Sequence, residues 1–286
     1  MKTTGFHHFV PRFYLEAFLD PLSLGKKNFE PYLWVVDVRS QKIRKKSPQN
    51  IAGQKGFYDM QATLHRPDGT FEKLYSQIEG PATPIIRKLL DGNIVLTDDE
   101  KKSFLRFICF QKTRGQNIRQ EMTKILQDDD TYRSKRHSHS QMLDKLKRRT
   151  NYPEILEGFI ERVETDIMIR RGVEEGKDYF DKISSATLSM KWTFLLSMSD
   201  ADGFITSDNP VGFHGVNDEL EEVQLPISPK CLLLINNNDR FADGLFPVDK
   251  TFVEGANRVH LKRVYQHVFC FSREQSEWVI RQAQSK

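Results

Sequence analysis

The sequence predicts an α+β fold in one compact unit: an N-terminal β-hairpin region, a helical middle, and C-terminal antiparallel or mixed strands. Three observations carry this. Short runs rich in β-branched and aromatic residues stand near both ends. Apolar residues at three-four spacing run through the middle. The regular alternation of strand and helix that marks a doubly wound sheet is absent. The 286 residues suffice for a substantial core, and an aromatic content of 11% argues against wholesale disorder.

Taken in order, Pro11 suits the first turn of a short helix that ends before Asp20-Pro21. Residues 32–38 read as a strand, Arg39-Ser40-Gln41 as a turn and residues 42–45 as the return strand, with another extended piece near Phe57-Tyr58-Asp59. Residues 70–91 carry Phe71, Leu74, Ile78, Ala82, Ile85, Ile86 and Leu89 at helical spacing. Thr97 with Asp98, Asp99 and Glu100 opens the next helix, which is predicted to run to about Leu126. Residues 128–139 read as an exposed break and 140–172 as helix, and Asp178 opens a further helix reaching Leu196 through Trp192 and Leu195. Strands follow at 204–206, 222–227, 231–235 and 268–271, with helices predicted over 249–266 and 273–284. The whole is read as a single domain over 1–286, with a helical central subregion at about 70–197 and an exposed basic segment at about 128–150.

The formal net charge of +4 conceals an uneven distribution. Residues 101–149 hold 14 Lys/Arg against 5 Asp/Glu, an excess of +9, so the remainder carries −5. Clustered cations attract phosphate backbones, although a solvated helix face accounts for such runs equally well. No apolar run is long enough to cross a membrane, and the N-terminus lacks a secretory pattern. Cys109, Cys231 and Cys270 are widely spaced within apolar runs, as expected of buried free thiols in a reducing cytoplasm.

The opening His7-His8-Phe9-Val10-Pro11-Arg12-Phe13-Tyr14-Leu15 resembles the signature of the bacterial domain-of-unknown-function family 4238. So do Leu33-Trp34-Val35-Val36-Asp37, Ser47-Pro48-Gln49-Asn50-Ile51-Ala52, Ile78-Glu79 and Gln111-Lys112-Thr113-Arg114. The most specific part is Trp192 followed by Phe204-Ile205-Thr206-Ser207-Asp208-Asn209-Pro210-Val211; Leu225-Pro226-Ile227-Ser228-Pro229 and Asn257 complete it. The resemblance implies a shared fold and site without a settled reaction.

His7 and His8 are candidate acid–base groups, and since adjacent residues of an extended chain point apart, one of them at most is expected to face the site. Arg12 is a candidate for bidentate anion binding. Glu79 lies beside an apolar helix face, and Gln111 and Arg114 share a face three residues apart. Asp208, followed by Asn209-Pro210, can hold a cation or orient a histidine, or merely cap backbone amides in an Asx-turn. Collected in space, His7, His8, Glu79 and Asp208 would be catalytic, and Arg12, Gln111, Arg114 and Asn209 would bind substrate. Asp208, Glu79 and His8 would hold a divalent Mg²⁺ or Mn²⁺. This set reads as a metal-dependent, nuclease-like phosphoester-cleaving enzyme acting on nucleic acid or nucleotide in the cytoplasm, with the basic residues 101–149 steering the polyanion. The alternative is a non-catalytic nucleotide- or anion-binding sensor or interaction protein.

Overall fold

The computed structural model describes residues 6–25, 30–55, 61–62, 66–67, 70–115, 187–216, 219–237 and 239–284, together with Glu174, Lys177, Phe180, Asp181 and Ser184. The predicted segments at Phe57-Tyr58-Asp59, at 128–139 and at 140–172, and the basic segment at 128–150, lie outside these residues.

Eleven strands matter for the architecture: β1 (Phe6–His8), β2 (Leu33–Asp37), β3 (Lys42–Lys46), β4 (Gly53–Lys55), β5 (Lys191–Ser197), β6 (Thr206–Ser207), β7 (Gly212–Val216), β8 (Glu219–Ser228), β9 (Cys231–Asn236), β10 (Gly244–Val248) and β11 (His267–Cys270). The helices are α1 (Arg12–Leu15), α2 (Thr70–Leu90), α3 (Asp98–Thr113), α4 (Lys250–Leu261) and α5 (Arg273–Gln284). A five-stranded sheet has the order β10-β5-β9-β8-β7, antiparallel except for the parallel β10–β5 pair. A four-stranded antiparallel sheet has the order β3-β2-β11-β6. The N-terminal hairpin therefore completes a sheet begun by C-terminal strands, which joins the two ends of the chain in one α+β domain.

The five-stranded sheet is buried on both faces. Along β9, Leu233 and Ile235 enter the main core with the helices α2 and α3, whereas Leu232 and Leu234 enter a second core with Val253 of α4. This is the period-two alternation of a strand applied to a layer covered twice. Trp192 and Phe194 of β5 likewise face the main core and Leu195 the second. The helix predicted up to Leu196 therefore stops short. The residues from 187 to 189 are helical, and 191–197 form a strand. An apolar run covered on both sides has no polar face from which its period can be read.

Helix α3 starts as predicted. Thr97 accepts a hydrogen bond from the Glu100 amide while the Glu100 carboxylate accepts one from the Thr97 amide, a reciprocal capping box. Its inner face buries Phe104, Phe107 and Ile108, each contributing roughly 1.5–3 kcal/mol by leaving water. The helix closes at Thr113 rather than near Leu126, with Arg114 at its C-cap and Gly115 just beyond. The strand predicted at 204–206 is confined to Thr206–Ser207, and the helix predicted over 249–266 spans Lys250–Leu261. Strands β7 and β10 were not anticipated. Replacing Thr97 by alanine removes the capping box and is expected to cost about 1 kcal/mol, read as a lower urea midpoint at unchanged slope.

Candidate functional site

The N-terminal strand β1 is held edge-on by β4, with His7 opposite Gln54 and His8 opposite Gly53. A side chain at position 53 would collide with the Phe6 ring and the His7 carbonyl, so only glycine permits this approach. The chain then bends: the Phe9 and Val10 amides both donate to the carbonyl of Ala52, which itself sits at a positive φ of 50°. Pro11 supplies the extended residue from which α1 starts.

The end of α3 fixes this bend. The Gln111 amide donates to the Phe9 carbonyl at 2.9 Å. The Arg114 guanidinium donates to the His8 carbonyl and to the Glu79 carboxylate from α2, and it lies 4.4 Å from the centre of the Tyr75 ring. Arg114 is 7% exposed, so its charge is neutralised in place by Glu79 and the aromatic face. The predicted shared face of Gln111 and Arg114 is thus a buried polar wall.

Above it opens a cavity of about 360 Å³, lined by His7, His8, Arg12, Phe13, Glu79 and Arg114 among others. Five of the eight predicted site residues meet here. Both histidines line the cavity, against the expectation that one at most would face it: a strand of three residues closed by a sharp bend leaves room for both. Arg12 is exposed and pairs with Glu16 one turn on, at 2.9 Å. The His8 ring donates from Nε2 to the Pro48 carbonyl at 3.2 Å, which leaves Nδ1 as its basic nitrogen. Burial, assisted by the Arg114 charge, lowers its pKa below the usual value, so the ring is neutral at pH 7.

Asp208 and Asn209 are elsewhere. Asp208 is 1% exposed and lines neither this cavity nor the groove beside it. Its two oxygens accept the backbone amides of Tyr265, Gln266 and His267 at 3.0, 2.8 and 2.7 Å. Burial raises its pKa while these three donors oppose the shift. Asn209 donates to the Arg263 carbonyl at 2.9 Å. The two side chains clamp the turn after β6 to the loop before β11: Asp208 caps backbone amides, but distant ones at 265–267 rather than those of its own Asx-turn. Asp208 therefore does not join Glu79 and His8, and among the described residues no group of three His, Cys, Asp or Glu is placed to hold a metal.

Two features escaped the sequence reading. Lys42, Arg44 and Lys46 alternate along the edge strand β3 and line a groove of about 240 Å³ with His267. Gly53 of β4, the strand paired with β1, also borders that groove. None of the three cations has an ion-pair partner among the described residues. Second, His260 lies 2.9 Å from Ser207 Oγ and resembles a serine–histidine dyad. Its Nδ1, however, receives a hydrogen bond from Arg263 at 2.7 Å, so Nε2 carries the proton and donates to the serine. With an arginine where a catalytic dyad needs an acid, the imidazole cannot act as a base toward Ser207. Among the described residues, no helix is long and apolar enough to cross a membrane.

A family model described as a protein of unknown function (DUF4238) matches residues 7–274. No curated protein and no solved structure matches the chain.

Replacing Asp208 by alanine strands three backbone amides and is expected to cost about 2–4 kcal/mol, measured by urea unfolding. The histidines predict a pH dependence of stability. His260 is fully enclosed and its pKa falls well below 6.5; that of His8 is also lowered, both chiefly by burial. The unfolded chain then binds protons that the folded chain refuses. Stability is therefore present above pH 6.5 and is lost as the pH falls below it. Thermal unfolding scans between pH 8 and about 5.5 should show this decline, and His260→Gln should flatten it.

Proposed function

Because the chain belongs to the DUF4238 family, whose description assigns no reaction, we propose its function from the cavity itself: a nuclease-like, phosphoester-cleaving enzyme acting on nucleic acid or nucleotide. The observation that carries this reading is the neutral His8 imidazole in one open cavity with the Glu79–Arg114 pair, His7 and Arg12. A neutral imidazole can accept a proton from an attacking water or ribose hydroxyl. As the new P–O bond forms and the old one breaks, the exposed Arg12 offsets the charge on the phosphoryl oxygens. His7 lines the same space and is the candidate to return a proton to the leaving oxygen. Glu79 holds Arg114, and through it the His8 backbone, in place.

The cationic edge of β3 favours a polyanionic substrate, since its three cations, without ion-pair partners among the described residues, line a groove bordered by the strand that pairs with β1. The basic residues 101–149 are proposed to add to this steering. Of the side chains lining the cavity, Glu79 and His8 are the donors proposed for a Mg²⁺ or Mn²⁺ ion, although no group of three His, Cys, Asp or Glu among the described residues is placed to hold one. The three free thiols are buried, which suits the reducing bacterial cytoplasm where we place the activity. The second reading, a non-catalytic nucleotide or anion binder, draws on the exposed Arg12 in the cavity and the cations of β3 beside it, which can hold an anion without cleaving it.

The test is cleavage of labelled RNA and DNA by purified protein, with Mg²⁺ or Mn²⁺ and with EDTA. Wild type is expected to cleave, and His8→Ala to lose about 10²–10⁴-fold in rate while keeping its melting temperature within a few degrees. Binding of labelled nucleotide without turnover would establish the non-catalytic reading instead.

A further inference from the structure

Strand β3 is the edge of the four-stranded sheet, and it sorts its cations between the two faces. Ile43 joins the apolar cluster that α5 covers, and Lys45 lies 4.6 Å from the centre of the Tyr32 ring and 4.8 Å from that of Trp34. The charge of Lys45 thus rests on aromatic faces. Lys42, Arg44 and Lys46 take the opposite face, as the period of two requires, and all three are exposed. Among the described residues none of them has an ion pair, a side-chain hydrogen bond or a ring contact. Lysines on an edge strand guard it against pairing with another chain, but that task needs no groove. These three cations line one of about 240 Å³, with the exposed Asn50 and with His267. The acid lining it, Asp37, is already met by the Arg39 and Ser40 amides and by Gln266.

The spacing of the three suits one strand of phosphates. Alternate residues of a β-strand lie about 6.6 Å apart, twice the rise per residue, a distance comparable to that between successive phosphates of an extended single strand. The groove also adjoins the cavity. Gly53 borders the groove, and the Phe6 ring, which lines the cavity, rests on Gly53 so closely that a Cβ there would come within 2.5 Å of it. Phe6 is 40% exposed, and its ring stands at 77° to the His8 imidazole with centres 5.0 Å apart. The exposed part of the ring offers an unpaired base a surface to stack on. The bases of a duplex are already stacked on one another and cannot use it.

We propose that the substrate of the cavity is a single-stranded nucleic acid, whose phosphates follow Lys42, Arg44 and Lys46 and whose chain passes Gly53 to stack a base on Phe6 beside His8. This rests on the cleavage reading for its reaction, whereas the binding stands on the groove and the ring. The cations supply an attraction that is independent of sequence and weakens with salt. The ring supplies a contact that any base can make. Asn50 adds a neutral hydrogen-bonding group to the groove.

The test is fluorescence anisotropy of the full chain with labelled oligo(dT), oligo(U) and a duplex of the same length, in EDTA over a range of sodium chloride and read before any turnover. Saturable binding of oligo(dT) or oligo(U) is expected, roughly tenfold or more tighter than that of the duplex, and the tighter of the two identifies the sugar. Substituting Lys42→Gln, Arg44→Gln and Lys46→Gln together should weaken single-strand binding by roughly tenfold or more and reduce the slope of log affinity against log salt by about 2. Lys262→Gln, which removes an exposed cation away from the groove, should leave both near wild type. Phe6→Ala should lose roughly tenfold at an unchanged salt slope, and Phe6→Tyr should restore the affinity. The glutamine substitutions lie at exposed positions, so they decide the matter if Phe6→Ala disturbs β1. Single-strand binding of this kind with no cleavage in Mg²⁺, Mn²⁺ or EDTA would remove the cleavage reading alone. Equal affinity for the duplex, absence of saturable binding, an equal loss in Lys262→Gln, or groove or Phe6 variants that bind as wild type would overturn this one.

Discussion

A guanidinium taken out of water has to be met from every side, and the N-terminal half of the molecule is arranged around meeting Arg114. The residue stands at the C-cap of α3, where the helix has stopped supplying hydrogen bonds of its own. It draws Glu79 from α2, the His8 carbonyl from β1 and the Tyr75 ring into one contact. Leaving any of them unmet would expose a buried charge at a cost of about 3–5 kcal/mol. That cost fixes the spacing between α2, α3 and the N-terminal strand, and the space left above them is the cavity. The position of His8 is thus a consequence of where Arg114 can be neutralised, which is why a side chain contributed by three unstable residues of strand is held at all.

The rest of the fold supplies a rigid back to this arrangement. A sheet buried on both faces cannot slide in register without moving its apolar residues to the wrong core. The Tyr14 hydroxyl donates to the Pro226 carbonyl at 2.6 Å and receives the Thr206 hydroxyl at 2.7 Å, joining α1 to both sheets in a dry setting. Proline has no amide to give the ladder, and the register of β8 against β9 shifts beside Pro226, so its carbonyl is free to turn inward. Tyr14 thereby carries the rigidity of the sheets to the helix that bears Arg12.

What the sequence disclosed depended on how local the deciding interaction was. The capping box of α3 is complete within four residues and was legible in full. The strands 222–227 and 231–235 were legible because their apolar character is dense and bounded by turn residues. The strand at 191–197 was not, because residues covered on both faces show no polar side to set the period. The end of α3 did carry a local signal in Gly115, placed as a helix-terminating glycine is, and the apolar pattern beyond it obscured that. Among site residues, His8, Arg12, Glu79 and Arg114 were gathered through the family resemblance. Asp208 was misplaced because an aspartate after a short strand reads the same whether it holds a ligand or three amides. The amides that settle it belong to residues 265–267 and are adjacent only in the fold. His260 and Arg263 gave no signal, since a helix of mixed polarity does not announce which of its cations is enclosed.

The two enclosed arginines are best understood against each other. Arg114 has a carboxylate, a carbonyl and an aromatic face, and its electrostatic requirement is closed within the chain. Arg263 has an imidazole and an amide, both neutral, and its guanidinium packs so closely on Gly212 that a Cβ there would collide with it. Its two N–H donors go to His260 Nδ1 and Gln224 Oε1, which an apolar residue could not satisfy. Part of its charge is left to water, because the residue is only half-buried. Full enclosure thus makes Arg114 the residue whose charge has to be met inside the chain, whereas Arg263, just past α4, needs only its two neutral partners and solvent.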